Sequence, residues 1–280
     1  MTLPRTVGVV GVGLVGGSLV RALRAVDAPP RIVAVDPSDH VRARLVAEGL
    51  ADDVASSVEA SPLDACDLVV LAAPIASILE SIGAVSARMR DGAVLTDVAG
   101  VKMPVVAAAR SSVRSGVPFV GAHPMFGGDH GGFDASSAER WRDGIVAVCD
   151  DDVEPESVAR VVALHRALGA DVVVCSADAH DAAIAAVSHL PYVVASALSL
   201  LGEDAGALAR RLAGRGFFDA TRLARFSWDV QGEVARRNPH VRAAAARLRE
   251  RLDACLAALD DAEAARALFD RARVVREGFE

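Results

Sequence analysis

From the N-terminus to Cys175, short runs of apolar and β-branched residues alternate with longer segments of helical periodicity. The runs at Thr6 to Val10, Ile32 to Val35, Leu68 to Ala72, Val94 to Thr96, Phe119 to Val120 and Ile145 to Cys149 are mostly apolar throughout, as strands covered on both faces are. Helices are predicted between them at Leu14 to Ala25, Val41 to Glu48, Ile75 to Met89 and Pro104 to Ser112. A helix at Glu156 to Leu168 and a strand at Asp171 to Val174 close the pattern. This alternation predicts a doubly wound, mainly parallel sheet. Beyond it, Ala177 to Leu200 and Val241 to Leu259 carry apolar residues at three- and four-residue spacing, so residues 177–280 are expected to be all-α and residues 1–176 to form the α/β domain. Val241, Ala244, Leu248, Leu252, Cys255, Leu256 and Leu259 make one helical stripe, which either covers its own core or buries itself against a second subunit.

Composition narrows the function. A chain of 280 residues with 52% hydrophobic and 24% charged side chains can bury a core without staples. Thirty basic against 37 acidic residues give a net charge of −7, which argues against nucleic acid as a partner. The four cysteines, Cys66, Cys149, Cys175 and Cys255, form no CxxC pair, so neither a disulfide framework nor a metal site is expected. The N-terminal segment has no cleavage site of a secretory leader and is broken by glycines, so a cytoplasmic protein without membrane attachment is expected.

Gly11-Val12-Gly13-Leu14-Val15-Gly16 follows the first strand and opens the first helix. In that context Gly11 permits a tight turn, Gly13 lets a pyrophosphate approach backbone, and Gly16 lets helix pack on strand. The helix N-terminus, at Leu14 and Val15, offers free N–H groups to phosphate. Asp36 ends the second strand twenty residues after Gly16, the interval at which a carboxylate reaches the adenosine ribose hydroxyls. That carboxylate repels a 2′-phosphate, so NAD is favoured over NADP, although Ser38 and Arg42 stand nearby. Ala73 and Pro74 supply a small-residue wall at the end of the third strand run.

Three further segments are unusual for a generic dinucleotide domain: Thr96-Asp97-Val98-Ala99-Gly100-Val101-Lys102, Gly121-Ala122-His123-Pro124-Met125-Phe126-Gly127-Gly128, and Ser188-His189-Leu190-Pro191-Tyr192. With Gly216-Phe217-Phe218-Asp219-Ala220-Thr221-Arg222, they resemble the prephenate and arogenate dehydrogenases of tyrosine biosynthesis over nearly the whole chain. The resemblance implies a Rossmann domain, a helical domain that forms a homodimer, and NAD-dependent oxidative decarboxylation of prephenate to 4-hydroxyphenylpyruvate. Arogenate, giving tyrosine, is the alternative substrate. By the same resemblance His123 matches the catalytic histidine, Arg222 the arginine holding a substrate carboxylate, and His189 the first histidine of an SHLPH motif. His189 is equally read as a satisfied core histidine, and His180-Asp181 matches a family pair of structural character.

Lys102 is the single lysine, beside 29 arginines, and is read either as a charge near a substrate or cofactor anion or as a surface lysine at a helix start. Tyr192, the single tyrosine, stands where the motif ends in histidine and could hydrogen-bond the substrate side chain. Gly100, counted with the cofactor residues, stands where the family has a serine. Gln231 occupies a tryptophan position, with Trp228 expected to fill the gap, and Arg215 replaces a glycine. These departures motivate a rival reading as an NAD-binding sensor that has lost catalysis. A β-hydroxyacid dehydrogenase would want a lysine in the helical domain, and none follows Lys102. The chain stops at Glu280, so a regulatory module is not expected.

Overall fold

The computed structural model describes residues 3–126, 131–142 and 144–279. Gly127 and Gly128 of the His-Pro-Met segment lie outside the described residues. Six parallel strands, β1 (Thr6–Val10), β2 (Arg31–Val35), β3 (Asp53–Ala55), β4 (Leu68–Leu71), β5 (Val94–Asp97) and β6 (Phe119–Val120), form one sheet in the order β3-β2-β1-β4-β5-β6. Their side chains alternate between two cores, as the two-residue period of a strand requires. Val7, Val9, Ile32, Ala34, Leu68 and Val70 face α1 (Leu14–Arg24) and α5 (Pro155–Ala167). Val33, Val35, Val69, Leu71 and Leu95 face α3 (Ile75–Ala87) and α4 (Met103–Ser112). A second helix, α2 (Asp39–Ala47), follows β2 and is capped by Ser38, whose hydroxyl accepts from the Val41 N–H.

The predicted single sheet is in fact two. After β6 the chain turns into a separate three-stranded sheet of β7 (Ala122–Pro124), β8 (Ile145–Cys149) and β9 (Asp171–Cys175), with β7 antiparallel to β8 and β8 parallel to β9. The cause is local. The Ala122 N–H donates to Asp97 Oδ1 at 3.1 Å and its carbonyl accepts from Lys102 Nζ at 2.6 Å, while the Gly121 carbonyl takes the Cys149 N–H. His123 therefore sits within a strand rather than just beyond one.

The helical part begins with α6 (Ala177–Ile184), a π-helical turn (Ala185–His189) and α7 (Leu190–Asp204), one continuous 28-residue helix. Its length and hydropathy would suffice to cross a membrane, yet its His180, Asp181 and His189 are buried and hydrogen-bonded inside the protein. Then come α8 (Gly206–Leu212), α9 (Arg215–Thr221), a 3₁₀ turn (Arg222–Arg225), a second π turn (Trp228–Gly232), α10 (Glu233–Arg237), α11 (Val241–Ala258) and α12 (Ala262–Glu277). The α11 stripe closes on a core only at its start, where Ala244 and Val241 pack with Ala185 and Leu190; Leu252, Leu256 and Leu259 are more than half exposed.

Candidate active site

The glycine turn is shaped for close approach on one side only. Gly11 has φ of +88°, and a Cβ there would meet the Ala72 carbonyl and Ala73 nitrogen at 2.9 Å. A Cβ on Gly16 would lie 2.0 Å from the Gly11 carbonyl oxygen. At Gly13, by contrast, a Cβ would meet nothing within 4 Å, so this backbone faces open space. No side chain caps α1, leaving the positive end of the helix at Leu14 and Val15 for an anion. Asp36 is buried; Oδ2 accepts from the Val12 N–H at 2.8 Å and Oδ1 from the Ser38 N–H at 2.9 Å. One carboxylate thus ties the end of β2 to the glycine turn. Arg42, which kept NADP in view, donates to the Asp36 carbonyl at 2.8 Å and pairs with Asp39. Ala73 is half-buried and Pro74 exposed at the mouth of the same crevice. Open glycine backbone, an uncapped helix start and an acidic strand end are the features that a dinucleotide needs.

Beside this turn, three polar side chains meet near the end of β5 and β7. His123 Nδ1 lies 2.9 Å from His180 Nε2, and His180 Nδ1 lies 2.8 Å from Asp181 Oδ1. Asp181 also accepts from the Lys102 and Met103 N–H groups at 2.7 and 2.8 Å, capping α4 from another helix. His123 is half-buried, and its Nε2 faces the Gly100 turn, 3.5 Å from where a Cβ would stand. Burial, reinforced by His180, Lys102 and His189, holds the His123 imidazole well below its ordinary pKa, so it is neutral around pH 7. A neutral imidazole in a crevice is equipped to take a proton.

Lys102 differs from both expectations for it. Its side chain has no exposed surface, and Nζ donates to Asp97 Oδ2 and the Ala122 carbonyl. A lysine spent on two internal acceptors is not at the surface and is not presented to a substrate anion; it braces the strand that bears His123. Nothing in composition reveals this, because its two partners are 5 and 20 residues away in sequence.

His189 is likewise interior. Its Nδ1 meets Asn238 Nδ2 at 3.1 Å and it hydrogen-bonds the Gly100 backbone, so it ties the helix to the β5 turn; burial lowers its pKa to about 4. The π turn that ends at His189 carries it there, and such turns recur at functional sites. Asn238 completes the knot by donating to the Asp181 carbonyl at 2.8 Å. Tyr192 lies half-buried in the first turn of α7. Arg222 is exposed at the start of the 3₁₀ turn that packs against α7. Gln231 Nε2 donates to Ser188 Oγ at 3.3 Å, next to His189, whereas Trp228 is exposed and does not fill a core gap. The sequence undervalued Asp97, whose signal was an acidic residue ending a buried parallel strand.

A family model described as prephenate dehydrogenase, nucleotide-binding domain, matches residues 19–174, and one described as prephenate dehydrogenase, dimerization domain, matches residues 176–269. The chain belongs to the prephenate dehydrogenase family. It is similar to the cyclohexadienyl dehydrogenase of Zymomonas mobilis, 29% identical over 80% of this chain and 78% of that protein. The prephenate dehydrogenase of Bacillus subtilis is 28% identical over 78% of this chain, which spans 60% of that enzyme's length. In fold, it superposes on a prephenate dehydrogenase from A. aeolicus, solved in complex with hydroxyphenyl propionate and NAD+, with a TM-score of 0.91 at 22% identity, covering 100% of this chain and 99% of that one. As a prephenate dehydrogenase family member the chain is an NAD-dependent oxidoreductase.

Proposed function

We propose that this chain catalyses the oxidative decarboxylation of prephenate to 4-hydroxyphenylpyruvate in tyrosine biosynthesis, with His123 as the base. The observation that carries this reading is the neutral, half-buried His123 whose Nε2 opens toward the Gly100 turn beside the dinucleotide crevice. Gly11, Gly13, Gly16 and the start of α1 would hold the pyrophosphate, and Asp36 the adenosine ribose. NAD, when bound, supplies the hydride acceptor. The substrate's ring hydroxyl gives its proton to His123 Nε2 as the carbon that bears it loses hydride. The ring carboxylate then leaves as carbon dioxide, its bonding electron pair enters the ring, and the phenol oxygen takes the proton back. Arg222 is the side chain assigned to a substrate carboxylate, through the paired N–H groups of its guanidinium. Tyr192, on the helix against which the Arg222 turn packs, is assigned to the substrate side chain.

The experiment is a rate assay with prephenate and arogenate, each with NAD and NADP. Turnover of prephenate with NAD supports the proposal, arogenate as the better substrate moves the assignment to arogenate dehydrogenase, and NADH binding without either turnover identifies a sensor. In the same assay His123→Ala lowers kcat on the order of 10²- to 10⁴-fold with NADH affinity kept. A retained rate overturns its role. Two further assignments accompany the activity. Residues 177–280 form the dimerising unit, supported by the family model of that description and by the exposed Leu252, Leu256, Leu259, Phe269 and Val274. A cytoplasmic setting fits this soluble biosynthetic role.

A further inference from the structure

We propose that Asp181 and His180 are positioning residues that set the tautomer of His123, leaving its Nε2 as the unprotonated atom. The inference rests on His123 being the base and adds how the chain keeps it in the state a base needs. An ionised carboxylate only accepts hydrogen bonds. Asp181 has no exposed surface, and both of its oxygens act as acceptors, Oδ1 of the Lys102 N–H and Oδ2 of the Met103 N–H. His180, 2.8 Å from Asp181 Oδ1, must therefore donate from Nδ1. A neutral imidazole carries one ring proton, so His180 Nε2 is an acceptor. His123 Nδ1, 2.9 Å away, is then the donor, and its own single proton lies on the side away from the Gly100 crevice. With a single ring proton on each histidine, the contacts run donor to acceptor in one direction, from His123 through His180 to Asp181.

The same chain of bonds explains how the ring is oriented where Gly100 offers no hydroxyl. His180 holds His123 nearly edge-on, with ring centroids 5.1 Å apart and planes at 74°. When His123 gains the substrate proton, its Nδ1–H bond points into a neutral acceptor, and the Asp181 charge lies one ring further on. The other charged or titratable groups around His123 are the Lys102–Asp97 pair, which is internally balanced, and His189, whose bonds go to Asn238 and Gly100. The tautomer is therefore determined from the His180 side.

The test is long-range ¹H–¹⁵N correlation on histidine-labelled wild-type protein, with His123→Gln used to assign its ring. The expected spectrum shows a protonated Nδ1 and a bare Nε2 for His123 at pH 7.5. A protonated Nε2, or a doubly protonated His180, overturns the proposal whether or not His123 is the base. That role is decided separately by His123→Ala in the rate assay. As a second readout, His180→Leu should lower kcat roughly 10- to 10³-fold with KM and NADH affinity little changed, because it misorients the base without touching either ligand. A folded His180→Leu protein that binds NADH and turns over at the wild-type rate also overturns it.

Discussion

Asp97 and Lys102 form an ion pair with no exposed side-chain surface, and together they hold both backbone polar groups of Ala122. Lys102→Met leaves a buried carboxylate without its counter-charge, so the expected loss of stability is about 3–5 kcal/mol. Urea unfolding measures it. Because Ala122 precedes His123, kcat should fall in whatever fraction remains folded. An unfolding midpoint equal to that of the wild type would falsify the bracing role.

Gly13 and Gly16 should respond oppositely to the same change. Gly16→Ala drives a methyl into the Gly11 carbonyl, an overpacking of roughly 1–3 kcal/mol or more, and lowers both the melting temperature and NADH affinity. Gly13→Ala meets no protein atom, so it should melt like the wild type and yet bind NADH more weakly. Thermal melts beside NADH fluorescence titrations separate the two, and equal melting curves would contradict the geometry of the turn.

Asp36→Ala removes the repulsion of a 2′-phosphate and also the acceptor of the buried Val12 N–H. Stability should fall by about 1–3 kcal/mol through the orphaned donor, while the preference for NAD over NADP relaxes. Comparing kcat/KM for the two cofactors checks this; an unaltered ratio removes Asp36 from the ribose site.

Arg222→Ala should raise KM for the diacid by roughly 2–5 kcal/mol in binding if the ion pair is desolvated, with NADH affinity unchanged. Steady-state kinetics with prephenate decide it, and the same KM in both proteins would exclude the arginine from carboxylate binding.

Stability should fall on the acid side. Burial lowers His165 and His189 from 6.5 to about 4 each. Above about pH 6.5 both are neutral folded or unfolded, and their contribution is intact. As pH falls from 6.5 toward 4 the unfolded chain takes up protons that the folded one refuses, so stability drops by roughly 3 kcal/mol per histidine. His165→Gln, which keeps an acceptor for the Trp141 indole N–H, should flatten that decline in melting temperature between pH 7 and 4. A parallel decline in the variant would mean that His165 does not contribute.

What could be read in advance was whatever the chain writes locally. Gly11, Gly13, Gly16 and Asp36 lie at fixed intervals around a strand and a helix start, and period and spacing suffice to find them. The three-residue strands β3 and β7 are too short to show a period, so a single sheet was expected where there are two. The Lys102 ion pair, the seat of His189 on Gly100 and the reach of Gln231 to Ser188 depend on segments meeting across the fold. Helix α12 leaves little apolar pattern in the sequence because its apolar residues, Phe269, Val274 and Val275 among them, lie exposed among many charges.

The glycine turn belongs to the six-stranded sheet and the imidazole to the three-stranded one, with Gly121 as the single residue between β6 and β7. On the proposed roles, electron acceptor and proton acceptor ride on separate slabs joined by a short seam. Any substitution that shifts one slab against the other retunes the spacing between the two transfers, even if it touches neither ligand, and that makes the Gly121 seam a natural place to look for rate variants with normal binding.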